Sequence, residues 1–276
     1  MKLWMRNGLL IGLLMQANLF AADIYRSQDD DGNVTFSDLA TANSQPVISQ
    51  VQPYRYLHSV AKVYDGDTII LENGERVRLL GINTPEIESR LRQGEQGGQQ
   101  AKLWLQKKLQ QGQVYLEYDQ QRRDKYKRLL AHCFLADDEH LNLTIVAQGL
   151  ATVTIIPPNL RYSEELTSAQ QHAELAQLGI WSQAKTKPRP VEQLSKANSK
   201  GWQRYLATAT SIKHGRSYVR LMLSKNVDLR IAKTNLHLFP ELETYLNQAL
   251  EVRGWASRSK QKFSILVHHP SAIIIR

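Results

Sequence analysis

The sequence predicts a mainly β chain with helices: a five-stranded barrel of the OB type over residues 56–183, then a second, mostly β domain over 201–276. Three observations lead there. Five short apolar runs separated by tight turns, with helix-period stretches interposed, lie between residues 60 and 178. Asn73-Gly74 between two such runs is a strong hairpin signal. Past residue 200, Val227, Leu229 and Ile231 alternate with Asp228, Arg230 and Ala232, and Phe263, Ile265 and Val267 alternate again. A period of two is that of a half-buried strand.

The first residues read as a signal peptide over 1–22. Lys2 and Arg6 open it, Leu9 to Leu14 form an apolar run, and Leu19-Phe20-Ala21-Ala22 supplies small residues for cleavage. Gln16 and Asn18 interrupt the run, which is too short to span a bilayer. The expected location is therefore periplasmic or secreted, with no integral membrane segment once the signal is removed. Residues 23–53 read as a short hairpin module and a linker. Asp23-Ile24-Tyr25-Arg26 and Val34-Thr35-Phe36-Ser37 flank the turn cluster Asp29-Asp30-Asp31-Gly32-Asn33. The three aspartates lack the spacing and distal glutamate of a calcium loop, so a solvated turn is expected. Residues 41–53, with Pro46 and Pro53, are polar and linker-like. The stretch resembles a short module of unknown function found near the start of many exported bacterial proteins.

In the barrel, strands are expected at 60–64, 68–71, 76–81, 114–119 and 128–135. Residues 87–98, polar and carrying Gly94, Gly97 and Gly98, are expected to form a mobile loop. Helical spacing covers 99–110, where Ala101, Leu105 and Leu109 share a face, then 141–148 and 163–178, stopped by Gly179. Residues 184–200, rich in Lys, Pro, Ser and Asn, read as a second linker.

The composition is globular, 42% hydrophobic and 22% charged, which excludes a disordered or low-complexity chain. A formal net charge of +9 fits a polyanionic partner or simply a basic, soluble surface. Cys133 is the single cysteine, excluding an intramolecular disulfide and any multi-cysteine metal site. Its strand-like setting suggests a small buried hydrophobe, with His132 beside it as a strand-face side chain. In the last domain, Arg253, Arg258, Lys260 and Lys262 near Trp255 admit two readings. One is a nucleic-acid surface with an aromatic platform. The other, favoured because tryptophan is usually well buried, is a solvated strand pair with Trp255 in the core.

Asp65-Gly66-Asp67-Thr68, Arg78, Asn83-Thr84-Pro85-Glu86 and Asp124-Lys125-Tyr126-Lys127-Arg128 form a set suited to phosphodiester chemistry. Such cleavage needs an aligned nucleophile and compensation of charge on the phosphate oxygens. Calcium takes carboxylate, amide and backbone carbonyl oxygens. Pairing through the Asn73-Gly74 turn can bring Asp67 near Asn83 and Thr84. Pro85 holds the chain extended before Glu86. Arg78 projects opposite to Val77 and Leu79.

With Gln148-Gly149-Leu150-Ala151 and Gly179-Ile180-Trp181-Ser182 in the same order, residues 56–183 resemble a staphylococcal nuclease-like (thermonuclease) domain. The resemblance covers a little under half of the chain. It implies an OB-type barrel and calcium-dependent cleavage of DNA and RNA with little base preference. By the family pattern, Asp67, Asn83 and the Thr84 carbonyl bind calcium, and Asp65 supports that shell. Glu86 orients or deprotonates water, Arg78 and Arg128 bind the scissile phosphate, and Lys125 and Tyr126 touch a neighbouring one. Three positions depart from the pattern. Asn83 stands where an aspartate is usual, so weaker calcium binding and lower activity are expected. Lys127 stands where glycine is usual. Thr154-Ile155-Ile156-Pro157-Pro158 replaces aromatic residues that would pack on a nucleotide, and Tyr162 lies close in sequence. Two rival readings follow: a catalytically impaired nucleic-acid-binding barrel, or a cell-envelope scaffold, which fold alone permits.

Overall fold

The computed structural model describes residues 25–29, 33–37, 39, 41, 44–46, 54–88 and 93–276. The expected signal peptide, most of the triple-aspartate turn and residues 89–92 of the expected loop lie outside them. The chain divides into two compact units, Met1–Pro53 and Tyr54–Arg276.

In the first unit, β1 (Tyr25–Gln28) pairs antiparallel with β2 (Val34–Ser37). The Asp29 carboxylate caps the turn, accepting the Asn33 backbone N–H at 2.8 Å and its side-chain amide at 3.0 Å. A third short strand, β3 (Gln45–Pro46), pairs with β1 inside the stretch expected to be linker.

In the second unit, β4 (Tyr56–Asp65), β5 (Thr68–Leu71), β6 (Arg76–Leu79), β8 (Gln113–Glu117) and β9 (Leu129–Phe134) close a barrel in the order β4-β5-β6-β9-β8. β4 serves two neighbours. Tyr56 to Ser59 pair with β8, and Val60 to Asp65 pair with β5. Register shifts at Val60/Lys62 and Val63/Asp65 bend it between them. The five-strand expectation holds, with β4 starting earlier than residue 60. Alternation sends Ile69, Val77, Leu79, Leu116 and Ala131 inward, against Leu105, Leu141 and Ile145 from the helices. Cys133 is buried and burial pushes its thiol pKa up, as suits a small core residue.

Between barrel strands lie β7 (Ile82–Asn83) and α1 (Gly98–Lys108), and after them α2 (Leu141–Ala147), β10 (Thr152–Val153) and α3 (Ser163–Leu175). The helix α3 stops three residues short of the expected end, because Gln177 already takes a left-handed φ of 52°. The motif glycines 149 and 179 are structural. A Cβ on either would stand 2.3 Å from a backbone oxygen of the segment facing it, and Ile180 N–H donates to Gly149 O at 2.8 Å.

The C-terminal part forms a second sheet: β11 (Arg189–Pro190), β12 (Trp202–Thr208), β13 (Ser211–His214), β14 (Tyr218–Met222), β15 (Val227–Ala232), β16 (Ala249–Ser259), β17 (Lys262–Val267) and β18 (Ile273–Ile275). Val227, Leu229, Ile231, Phe263, Ile265 and Val267 are buried in its core, as their alternation predicts. The stretch 184–200 is more than a linker. β11 pairs parallel with β12, and Val191, 0% exposed, belongs to this core. Trp255 is not a core residue: it is 42% exposed. Arg253, expected on a solvated face, is buried against Glu251 and Glu174. Among the described residues, no helix is long and apolar enough to cross a membrane.

Candidate active site

The tight turn between β4 and β5 brings Asp67 under the chain that follows β7. Gly66 allows this, since a Cβ there would meet Ala101 Cβ at 2.6 Å and Thr84 Oγ1 at 2.8 Å. Asp67 is buried and fully engaged. Its Oδ2 accepts the Thr84 backbone N–H and faces Arg78 Nη2, both at 2.9 Å, while Oδ1 accepts the Thr68 hydroxyl at 3.1 Å. Asp65 supports it from below, accepting the Asp67 N–H at 3.2 Å. Burial first, and then the Asp67 carboxylate, raise the Asp65 carboxyl well above the usual carboxylate range.

Asn83 is held by a small two-stranded sheet. β10 places Thr152 opposite it, and the Thr152 hydroxyl donates to the Asn83 carbonyl at 3.1 Å. Its side chain is locked at both ends. Oδ1 accepts Arg78 Nη2 at 3.2 Å, and Nδ2 donates to the Thr84 carbonyl at 3.1 Å. One guanidinium nitrogen thus contacts an oxygen of Asp67 and an oxygen of Asn83. Arg78 also donates to Leu79 O at 3.0 Å.

The second arginine comes from the neighbouring strand. β9 runs parallel to β6 with Leu129 opposite Val77 and Leu130 opposite Arg78, so Arg128 sits just ahead of that register. Asp124 shapes its turn, accepting the backbone N–H groups of Tyr126 and Arg128 at 2.9 Å and the Arg128 Nε at 2.7 Å. The Asp124 carboxyl lies below its ordinary range: burial works against this, while the bonds and charge of Arg128 prevail. Lys127 takes a left-handed φ of 65°, the conformation a glycine would adopt freely. Lys125 and the exposed Tyr126 project beside Arg128, which lies 5.6 Å from the Tyr126 ring centre.

Two cavities meet at Asn83. One, of about 660 Å³, is lined by Arg78, Arg128, Lys125 and Tyr126; the other, of about 840 Å³, is lined by Glu86. Glu86 is exposed, and its backbone pairs with Glu95: the Glu95 N–H donates to Glu86 O at 2.7 Å, and Glu86 N–H to Glu95 Oε2 at 3.2 Å. Seven of the other eight expected site residues thus gather around Asn83 directly or through these cavities, with Asp65 behind Asp67. Trp202 and Trp255 of the C-terminal sheet line both cavities.

The oxygen donors fit a hard cation. Asp67 Oδ2 and Asn83 Oδ1 already converge on one positive group, the Arg78 fork, and the Thr84 carbonyl keeps a second lone pair beside its bond from Asn83. Among the described residues, no cluster of three or more His, Cys, Asp or Glu could hold a metal. The donor set therefore draws on amide and backbone oxygens, and is poor in charge.

Other expectations end elsewhere. Tyr162 turns away from the cavities and donates its hydroxyl to the buried Glu117 carboxylate at 2.9 Å. His132 and His140 lie 3.2 Å apart beneath it, and burial pulls both down to about 3, so both are neutral at pH 7. Sequence reasoning missed Asn142, which ties α2 to the site strands by donating to Leu80 O and accepting Cys133 N–H, both at 2.9 Å. A lone amide inside the apolar run 141–147 was the available signal.

A closed five-stranded barrel with paired arginines, acids and an arched Asn-Thr-Pro-Glu segment defines a nuclease-type OB barrel. Comparison with known proteins agrees. The family described as Staphylococcal nuclease homologue matches residues 76–183, and a domain of unknown function (DUF4124) matches residues 11–55. The chain is 40% identical to the thermonuclease of Staphylococcus intermedius over 125 residues, 44% of this chain and 74% of that one. It is 34% identical to the thermonuclease of Staphylococcus hyicus over 128 residues, 45% of this chain and 75% of that one. It is also 34% identical to endonuclease YncB of Bacillus subtilis, over 45% of this chain and 60% of that one. The chain belongs to the staphylococcal nuclease family.

Proposed function

We propose that this protein is an exported, calcium-dependent nuclease that hydrolyses phosphodiester bonds of DNA, RNA or both with little base specificity. The observation that carries the reading is the position of Asn83 between a cavity lined by Arg78 and Arg128 and one lined by Glu86. Phosphate-binding forks and a carboxylate base thereby flank one point. Family membership supports the hydrolytic chemistry, and the signal-like residues 1–22 support export to the periplasm or the medium.

Asp67, Asn83 and the Thr84 carbonyl would hold the calcium ion, with Asp65 bracing Asp67. When bound, calcium supplies positive charge to the phosphate oxygens at the moment of attack. Glu86 orients the attacking water and accepts its proton. Arg78 and Arg128 present planar donor forks to the phosphate oxygens, a match a lysine cannot give. Lys125 and Tyr126 hold a neighbouring phosphate. Arg78 is engaged with Asp67 and Asn83, so binding a phosphate requires it to exchange partners.

Incubation of the full chain with single-stranded DNA, in calcium and then in chelator, tests this. Cleavage that needs calcium and is lost in Glu86→Gln is expected. Tight, salt-sensitive binding without cleavage would instead establish the impaired binder.

A further inference from the structure

Trp255 stands where β16 changes partners. Up to Trp255 the strand pairs with β12, placing Trp202 opposite Trp255; from Ala256 onward it pairs with β17. Residues 250–254 just before it are buried, and the indole then emerges 42% exposed. Trp202, its cross-strand partner, leans edge-on against Trp181 of the turn after α3, ring centres 6.0 Å apart, which holds the Trp202 ring in place. A large, rigid aromatic surface held at the mouth of a cleft is stabilised when a flat ligand covers it.

The position of that surface names the ligand. The cavity of about 660 Å³ that Trp255 lines also holds Arg78, Lys125 and Arg128, and its size suits a nucleotide-scale group. The second cavity it lines holds Glu86. A flat apolar platform beside three cationic groups matches an unpaired nucleic-acid strand, whose phosphates and bases alternate.

We propose that Trp255, backed by Trp202, is a stacking platform for an unpaired base flanking the phosphate held at Arg78 and Arg128. The inference rests on the nuclease reading above and assigns the C-terminal sheet a share of the substrate site. A base in a duplex is already stacked, so the platform favours single-stranded substrate over duplex.

The test is binding of the full chain, in chelator, to a labelled single-stranded oligonucleotide and to an abasic strand of equal length. Wild type is expected to bind the base-bearing strand more tightly. Trp255→Ala should weaken that binding about 5- to 150-fold and leave the abasic strand unaffected, with Trp255→Phe recovering most of the loss. Equal binding by wild type and Trp255→Ala overturns the proposal, as does equal loss on both strands, which marks a collapsed cleft. Cleavage and binding that persist while Trp255→Ala changes nothing leave the nuclease reading standing. A wild-type chain that neither binds either strand in chelator nor cleaves one in calcium overturns both.

Discussion

Asp67 with Arg78 in the barrel and Glu251 with Arg204, Arg253 and Arg276 in the C-terminal sheet pose the same electrostatic problem and resolve it differently. Glu251 is 0% exposed, and two of the three arginines around it, Arg204 and Arg253, are themselves largely buried. Arg204 reaches it at 2.6 and 3.0 Å, Arg253 at 2.7 Å, and Arg276 also contacts it. Arg253 spends its remaining nitrogens on Glu174 of α3 at 2.6 and 2.8 Å, riveting the sheet to the barrel. Burial pulls the Arg204 and Arg253 guanidinium groups down, and Glu174 pulls them back. Arg78, in contrast, meets one carboxylate oxygen and one amide oxygen at the wall of a cleft. An arginine closed on carboxylates is a strut. One shared between a single carboxylate and a neutral amide beside open space has more charge to lend.

The comparison can be broken from either side. Glu251→Gln leaves three guanidinium groups crowded around a neutral amide, so stability in denaturant melts should fall by about 3–5 kcal/mol. Turnover per folded molecule should be unchanged; an unchanged melt would show that the cluster is no strut. Arg78→Lys keeps the charge beside Asp67 and loses the fork. Its kcat on single-stranded DNA should fall about 10²- to 10³-fold while its thermal midpoint moves little. If Arg78→Lys unfolds as readily as Glu251→Gln, the two clusters are of one kind. The smallest effect concerns the turn that aims Arg128. Lys127→Gly removes the left-handed penalty, offset in part by glycine's entropy, and should raise stability by about 0.5–1 kcal/mol. A loss on calorimetry would show that the lysine side chain, not the backbone, holds the turn.

Much of the barrel was legible because its signals are local. Val77-Arg78-Leu79 alternates, Asn73-Gly74 turns the hairpin, and the acids and arginines stand in short motifs whose order survives. The C-terminal sheet was legible only as β. Alternation reports a strand's faces but not a change of partner, so Trp255, at the switch from β12 to β17, was expected in the core. The lysines and prolines of 184–200 hid Val191, whose burial depends on pairing with β12. The ion cluster joins Glu251 and Arg253 of one strand to positions 174, 204 and 276, segments too far apart in sequence for a local pattern to link. Its one local trace is a charge between Leu250 and Val252 in a buried strand.

The same contrast defines what Asn83 does. Its amide accepts from Arg78 and donates to the Thr84 carbonyl, so in the proposed cation site it would both lower the charge and share one of the donor oxygens. An aspartate there would add charge and release that carbonyl. The most direct measurement is a calcium titration of single-stranded DNA cleavage by wild type and Asn83→Asp. Cleavage should require calcium in both, and the calcium concentration for half-maximal rate should fall about tenfold or more in the variant. Cleavage that persists in chelator, or the same calcium requirement in both proteins, would contradict the cation site at Asp67, Asn83 and Thr84.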